Sequence, residues 1–440
     1  VAALLLSQAL LLAGHGLQLT LLPLRAAMEG FTDTEIAFTG SAYFSGFVLG
    51  CLLTPWVVRR AGHIRAFAVL ASVYSAAVLI FDLLPMFTSW LLLRILTGLT
   101  IAGLYMILES WLNERATADT RGTLLSIYTV VNLTMIMVGQ QLVNVADPEA
   151  STLFAVSAIL LSIAVIPVSL TTSLAPAPLR ETRINIRGVW RSSPVAIGGA
   201  LASGMATGAF WSLGPIYARD LGLATVQITT FMSMAVLGGA LLQVPLGRLS
   251  DHYDRRLILL GIALVGVLAS LGLSALGSMG GAVLFALALL WGGCTMTMYA
   301  ICLAHANDHA TTGEFVGIGT AILLLHGGSG ALGGPLASLT MGIAGPGGLF
   351  IFSAAVLLLF GLGTIYRVRT RARPVQDETE PFRAIGEGTP VALEMDPRVA
   401  SEWQAPEGTP EGIPEQTPYK GEDRSEDEGA DETLRRIDTP

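Results

Sequence analysis

The chain has 440 residues, of which 52% are hydrophobic and only 13% charged. A soluble globular protein carries about 25% charged residues, so this composition excludes an ordinary soluble enzyme or binding domain and points to a membrane protein. The formal net charge of −8 is uneven, because residues 375–440 hold 18 acidic and 6 basic side chains and the rest of the chain is net positive.

Twelve apolar stretches follow one another, each long enough to cross a hydrocarbon core of about 30 Å as a helix. They cover residues 3–24, 36–58, 65–86, 89–112, 122–144, 151–172, 193–216, 225–247, 256–277, 281–304, 315–340 and 347–367. A membrane barrel would instead show short alternating segments. The first stretch has no basic leader and holds His15 and Gln18, so it reads as a span rather than a signal peptide. Those two polar residues are three apart, on one helix face.

Asp82 closes the third span and Arg94 opens the fourth, each six residues from Thr88. They should lie at one depth, and an arginine in a membrane needs a partner. A structural ion pair is therefore expected. Along the fourth span Arg94, Gly98, Tyr105 and Glu109 recur at helical spacing, on a face expected to turn inward. Glu109 and Arg121 flank Arg115 symmetrically at the next turn, where a second ion pair is expected. Asn132 sits mid-way along the fifth span, Phe210 and Trp211 deep in the seventh, Tyr299 in the tenth and His326 in the eleventh. Ionisable and polar groups at such depth default to functional candidates. The run from His326 to Pro335 contains five glycines and reads as a flexible gating helix.

Arginine placement sets the orientation. Sixteen arginines, among them Arg59, Arg60, Arg115, Arg121, Arg180, Arg248, Arg255, Arg256 and Arg367, lie in the loops after even-numbered spans or at the start of the tail; Arg25 and Arg219 lie opposite. The positive-inside rule puts both termini and the 173–192 loop in the cytoplasm. The tail from 371 to 440 repeats Glu387-Gly-Thr-Pro, Glu407-Gly-Thr-Pro and Glu411-Gly-Ile-Pro. Such a composition cannot bury enough apolar surface to fold, so a disordered acidic tail is expected. Cys51, Cys294 and Cys302 form no close cluster, and no disulfide framework, metal or cofactor is expected.

The chain also reads nearly the same way twice. At an offset of 192, Pro23 meets Pro215, Gly30 meets Gly222, Ile36 meets Ile228, Ser41 meets Ser233 and Gly46 meets Gly238. At 194, Gly98 meets Gly292, Tyr105 meets Tyr299, Asn113 meets Asn307 and Asn132 meets His326. Two like apolar halves are a transporter's plan, with the ligand path between them. The expected organisation is a six-helix bundle over 1–172, a cytoplasmic linker over 173–192, a second bundle over 193–370 and the tail.

The run Gly247-Arg-Leu-Ser-Asp251-His-Tyr-Asp-Arg255-Arg256 resembles the Gly-x-x-x-Asp-x-x-x-Arg-Arg signature of the major facilitator superfamily. The equivalent loop of the first half departs from it, with Pro55 in the glycine position and Arg59 in the aspartate position. Arg94-x-x-x-Gly98-x-x-x-x-Gly103 is similar to the family's fourth-helix motif. Leu108-Glu109-Ser110, Arg121-Gly122 and Gly139-Gln140 look most like its YcaD-like branch. The resemblance implies an all-α fold of two pseudo-symmetric six-helix bundles with helices 1, 4, 7 and 10 lining a cavity. It also implies a cytoplasmic gate in which Asp251 meets the amino end of the fifth helix in the other half. Gly247, Arg255, Arg256, Arg59, Arg60 and Arg121 would complete that gate.

These readings converge on a monomeric secondary transporter of a bacterial inner membrane. It would move a small organic solute by alternating access, coupled to protons through His15, His326 or Glu109, with efflux favoured over import. No Gly-x-x-x-x-Gly-Lys argues for nucleotide use, no Ser-His-Asp pattern argues for an enzyme, and no nucleic-acid partner is expected. The rival readings are an uncoupled facilitator and a transporter-like sensor signalling through the tail.

Overall fold

The protein is described here from a computed structural model covering residues 1–117, 120–170, 188–190, 193–308 and 315–370. Its long helices are α1 (Ala2–Met28), α2 (Asp33–Ala61), α3 (His63–Leu83), α4 (Phe87–Arg115), α5 (Arg121–Leu142) and α6 (Thr152–Ser169, interrupted at Ala164). The second half supplies α7 (Pro194–Asp220), α8 (Thr225–His252), α9 (Arg255–Leu276), α10 (Gly281–Asn307), α11 (Phe315–Ala344) and α12 (Gly348–Thr370). Most of the linker and the whole acidic tail, with Arg180, lie outside the described residues, as does the side chain of Arg121.

Eleven of these helices are both long and apolar enough to cross a membrane. The other, α7, matches them in length at 27 residues. Gly198, Gly199, Ser203, Gly204, Thr207 and Gly208 dilute its hydropathy. These small residues bring backbones together, as in many membrane helix pairs. A Cβ on Gly204 would strike the His326 carbonyl of α11, and one on Gly208 would strike the backbone of Gly330.

The sequence repeat is a packing repeat. Within the first half α2 packs on α4, α1 on α5 and α6, and α3 on α4 and α6; α8 on α10, α7 on α11 and α12, and α9 on α10 and α12 reproduce this pattern in the second. Paired glycines explain why. A Cβ on Gly46 would strike the Ile95 carbonyl and one on Gly238 the Leu289 carbonyl. In the reverse direction Gly98 sits on the Tyr43 carbonyl and Gly292 on that of Ala235. The turns repeat as well: Gly30 (φ 84°) and Gly222 (φ 78°) both take the left-handed conformation that glycine adopts without steric cost. After the first, Thr32 and Glu35 form a reciprocal capping box at the start of α2; after the second, Gln227 keeps only the half that bonds the Ala224 amide.

All twelve helices belong to one compact unit. The halves meet where α2 packs on α11 and α7, α5 on α8, and α1 on α7. Large apolar side chains such as Leu268, Ile343, Leu359 and Leu362 remain exposed on the outer surface. That is the surface a helical membrane protein offers to lipid.

Candidate functional site

A cavity enclosing about 1320 Å³ of empty space, part of it open to solvent, lies between the halves. From the first half it is lined by His15, Tyr43, Phe44, Tyr105, Tyr128 and Asn132, and from the second by Trp211, Gln243, Met296 and His326. Of the residues expected from sequence, His15, Tyr105, Asn132, Trp211 and His326 therefore converge on one space. The repeat mates Asn132 and His326 face it from opposite halves.

Each lining histidine is held by neighbours. His15 Nδ1 lies 2.7 Å from the Tyr74 hydroxyl and Nε2 lies 3.1 Å from that of Tyr43. A neutral imidazole donates from one nitrogen and accepts at the other, so the two tyrosines satisfy it in a single tautomer. His326 Nδ1 lies 3.1 Å from Ser203 Oγ, and its ring packs against the repeat residue Tyr299 at a centroid distance of 4.9 Å. Tyr299 itself stays behind the wall, outside the lining.

Glu109 is fully buried. It accepts the Tyr128 hydroxyl at 2.7 Å. Gln8 extends the chain, with its amide nitrogen 3.5 Å from Tyr128 Oη and 3.0 Å from Asn132 Oδ1. A buried carboxyl group is thereby linked to the cavity wall through one hydroxyl. The expected ion pair to Arg121 falls on a side chain outside the described residues.

The expected pair of Asp82 with Arg94 is not formed. Asp82 faces Arg25 of α1, at 3.7 Å, and Arg25 also binds Glu29 at 2.7 Å and the Pro148 and Glu149 carbonyls. Equal depth was the basis for that pair, but depth does not fix which helix face a side chain occupies. Arg94 points the other way. Its Cζ lies 4.8 Å from the centroid of the Tyr43 ring, and its Nε donates to the Thr39 carbonyl at 3.3 Å. Gln18 is buried but lies outside the cavity lining, and neither atom of its amide has a hydrogen-bond partner.

The motif after α8 forms a charge cluster at the end of the bundle where α1 begins and α12 ends. Arg255 pairs with Asp308 at 2.8 Å and with Asp251 at 3.4 Å, and Arg256 with Asp254 at 2.9 Å. These pairs tie the end of α8 to the start of α9 and the end of α10, all within the second half. Gly247 lies buried one turn earlier and accepts the Ser250 hydroxyl at 2.6 Å. Arg59 and Arg60 are exposed in the last turn of α2. Among the described residues no group of three or more His, Cys, Asp or Glu could hold a metal ion.

At the opposite end, uncharged side chains join the halves. Gln141 donates to Ser233 Oγ at 2.9 Å, Ser233 donates to Gln140 Oε1 at 3.0 Å, and Asn144 donates to Thr229 Oγ1 at 2.9 Å. Sequence reasoning missed this latch, and it missed Gln8, Tyr43, Tyr74 and Tyr128. The amides carried a usable signal, because three of them crowd the last turn of an apolar span. The tyrosines carried none, since they occur as freely in packed cores.

Comparison with known proteins agrees with this architecture. The Major Facilitator Superfamily profile matches residues 4–331. A protein of Escherichia fergusonii named uncharacterized MFS-type transporter YcaD is 28% identical over 358 residues, which is 81% of this chain and 92% of that protein; its Escherichia coli counterparts match equally. Among solved structures, the nucleoside transporter NupG superposes with a TM-score of 0.70 at 12% identity, covering 84% of this chain and 99% of that one. A bacterial homologue of the human lysosomal transporter Spinster, in an inward-facing and occupied conformation, superposes at 0.69 with 13% identity, over 85% and 98% of the two chains. At these identities the superpositions speak to fold alone. With two repeated six-helix halves around one central cavity and a family match over most of its length, the chain belongs to the major facilitator superfamily.

Proposed function

We propose that the protein is a proton-coupled secondary transporter that moves a small organic solute by alternating access. The observation that carries this reading is the cavity itself. It is lined from both halves, and rocking the halves about it would expose the same site to either side. With the arginine-rich loops and both termini in the cytoplasm, the latch of Gln140, Gln141 and Asn144 closes the outer end, and the cavity is offered to the cytoplasm. Glu109 is the favoured proton carrier, because Tyr128 links it to the cavity. His15 and His326 are the alternatives. The apolar character of the wall favours efflux of an amphipathic compound over import.

On this reading the Asp251, Arg255 and Asp308 cluster belongs to a cytoplasmic gate. When the gate closes, Asp251 would meet the amino end of α5. The test is proton flux in proteoliposomes challenged with a compound library. Solute-dependent flux that is lost in Glu109→Gln establishes coupled transport. Labelled-solute exchange without proton movement makes the protein a facilitator, and silence in both assays overturns the reading.

A further inference from the structure

The cavity wall conceals two ionisable groups of opposite sign. None of its twenty lining residues is Asp, Glu, Lys or Arg, while six are Phe, Tyr or Trp. Yet Glu109 and Arg94 are buried close behind it, the first at 0% exposure and the second at 5%. A tyrosine of the lining stands between each and the cavity. Tyr128 lines the cavity and turns its hydroxyl onto Glu109 at 2.7 Å. Tyr43 lines it too, with the Arg94 guanidinium 4.8 Å from its ring centroid.

A charged solute entering this space would give up water and meet no opposite charge at the wall, a costly exchange in a membrane interior. An aromatic ring would meet aromatic faces and edges at several angles. Asn132, Gln243, His326 and the Trp211 indole add a few directional polar groups, the usual way such a pocket fixes orientation. We infer that the solute is an uncharged, flat aromatic compound with hydrogen-bonding groups at its edge, and that Tyr43 and Tyr128 set this preference by screening Arg94 and Glu109. The inference rests on the cavity being the solute site proposed above.

Three indoles that share a ring and differ in charge test it: indole-3-acetamide (neutral), indole-3-acetate (anionic) and tryptamine (cationic). Each is titrated calorimetrically into the full-length protein in detergent at neutral pH. The amide is expected to bind at least about tenfold tighter than either ion. Tyr128→Ala, which uncovers Glu109, should raise tryptamine affinity about tenfold, and adding Glu109→Gln should cancel the gain. Tyr43→Ala should do the same for indole-3-acetate through Arg94. Tyr128→Phe and Tyr43→Phe keep the rings and serve where an alanine variant does not fold; each should keep the wild-type preference for the amide, and a Phe variant that admits an ion overturns screening by the ring.

Tighter or equal binding of either ion to the wild type, or binding of none of the three, overturns the solute class. So does an unchanged preference in both folded alanine variants. Flux in proteoliposomes separates this from the broader reading. An ion that binds best and crosses the membrane refutes the class and leaves transport intact. An amide that binds in the expected order but crosses in neither direction upholds the class and refutes transport.

Discussion

Tyr128 donates its hydroxyl to Glu109 Oε1 across 2.7 Å, and this bond links a buried carboxyl group to the cavity. If Glu109 carries the coupled proton, that proton reaches the cavity through the phenol. Tyr128→Phe keeps the ring and deletes the relay. A hydrogen bond to a charged group contributes about 1.5–3 kcal/mol, so proton flux at saturating solute should fall roughly tenfold or more. Glu109→Gln should abolish proton flux and leave solute exchange measurable. Full coupling in Tyr128→Phe would remove the phenol from the pathway.

How much of this was legible in the chain follows from what each part depends on. The spans and the two halves rest on length, apolarity and glycine spacing, all written linearly. Gly46 and Gly238 announce close packing before any contact is known. The convergence of Asn132 and His326 could be read for the same reason, since the repeat makes them mates. The pairing of Asp82 could not. Its partner Arg25 lies on a helix two spans away, and only the packing of both α1 and α3 against α6 brings the two side chains together. The screening of Arg94 and Glu109 was equally hidden, because it depends on which way two tyrosines turn.

The paired glycines support a stability prediction. A side chain at Gly98 would collide with the backbone of Tyr43 and Phe47, which cannot move aside without shifting all of α2. Overpacking of this kind costs about 1–3 kcal/mol or more. Gly98→Val should therefore lower the melting temperature in detergent by several degrees or prevent folding, and Gly292→Val should match it in the second half. Gly261→Ala is the control, since nothing lies within 4 Å of its added Cβ; it should be neutral or slightly stabilising through helix propensity.

Asp254 precedes α9 and caps it, accepting from the Arg256 amide at 2.9 Å and pairing with its guanidinium. Burial pushes its carboxyl group up, but the Arg256 side-chain and backbone hydrogen bonds, with the charges of Arg256 and His305, hold it below the usual range. A lowered folded value means that the ionised form is favoured on folding. The stabilisation is thus complete above the ordinary carboxylate value of about 3.9 and is lost as pH falls through the lowered one. Thermal melts of wild type and Asp254→Asn should differ by a few degrees near neutral pH and converge only under strong acid. A constant difference across that range would assign the effect to shape rather than charge.

The latch between α5 and α8 makes the most direct prediction about conformational change. Its members are neutral, so each hydrogen bond contributes about 1 kcal/mol, and no single one fixes the state. Ser233→Ala removes the bonds to Gln140 and Gln141, and Asn144→Ala removes the bond to Thr229. Together they should move the equilibrium about a hundredfold toward the state open at this end, because three bonds of that size make roughly 3 kcal/mol. Spin labels at the exposed residues Val145 and Val226, placed at the end of α5 and the start of α8, report the separation. The double variant should gain a long-distance population that the wild type lacks, and its solute affinity from the outer side should rise. An unchanged distance distribution would mean that the remaining bond from Thr229 to Gln141 at 3.3 Å and the glycine-mediated contacts of α2 with α7 and α11, where Gly40 meets Ser212 and Gly334 meets Ala37, suffice to hold this end closed.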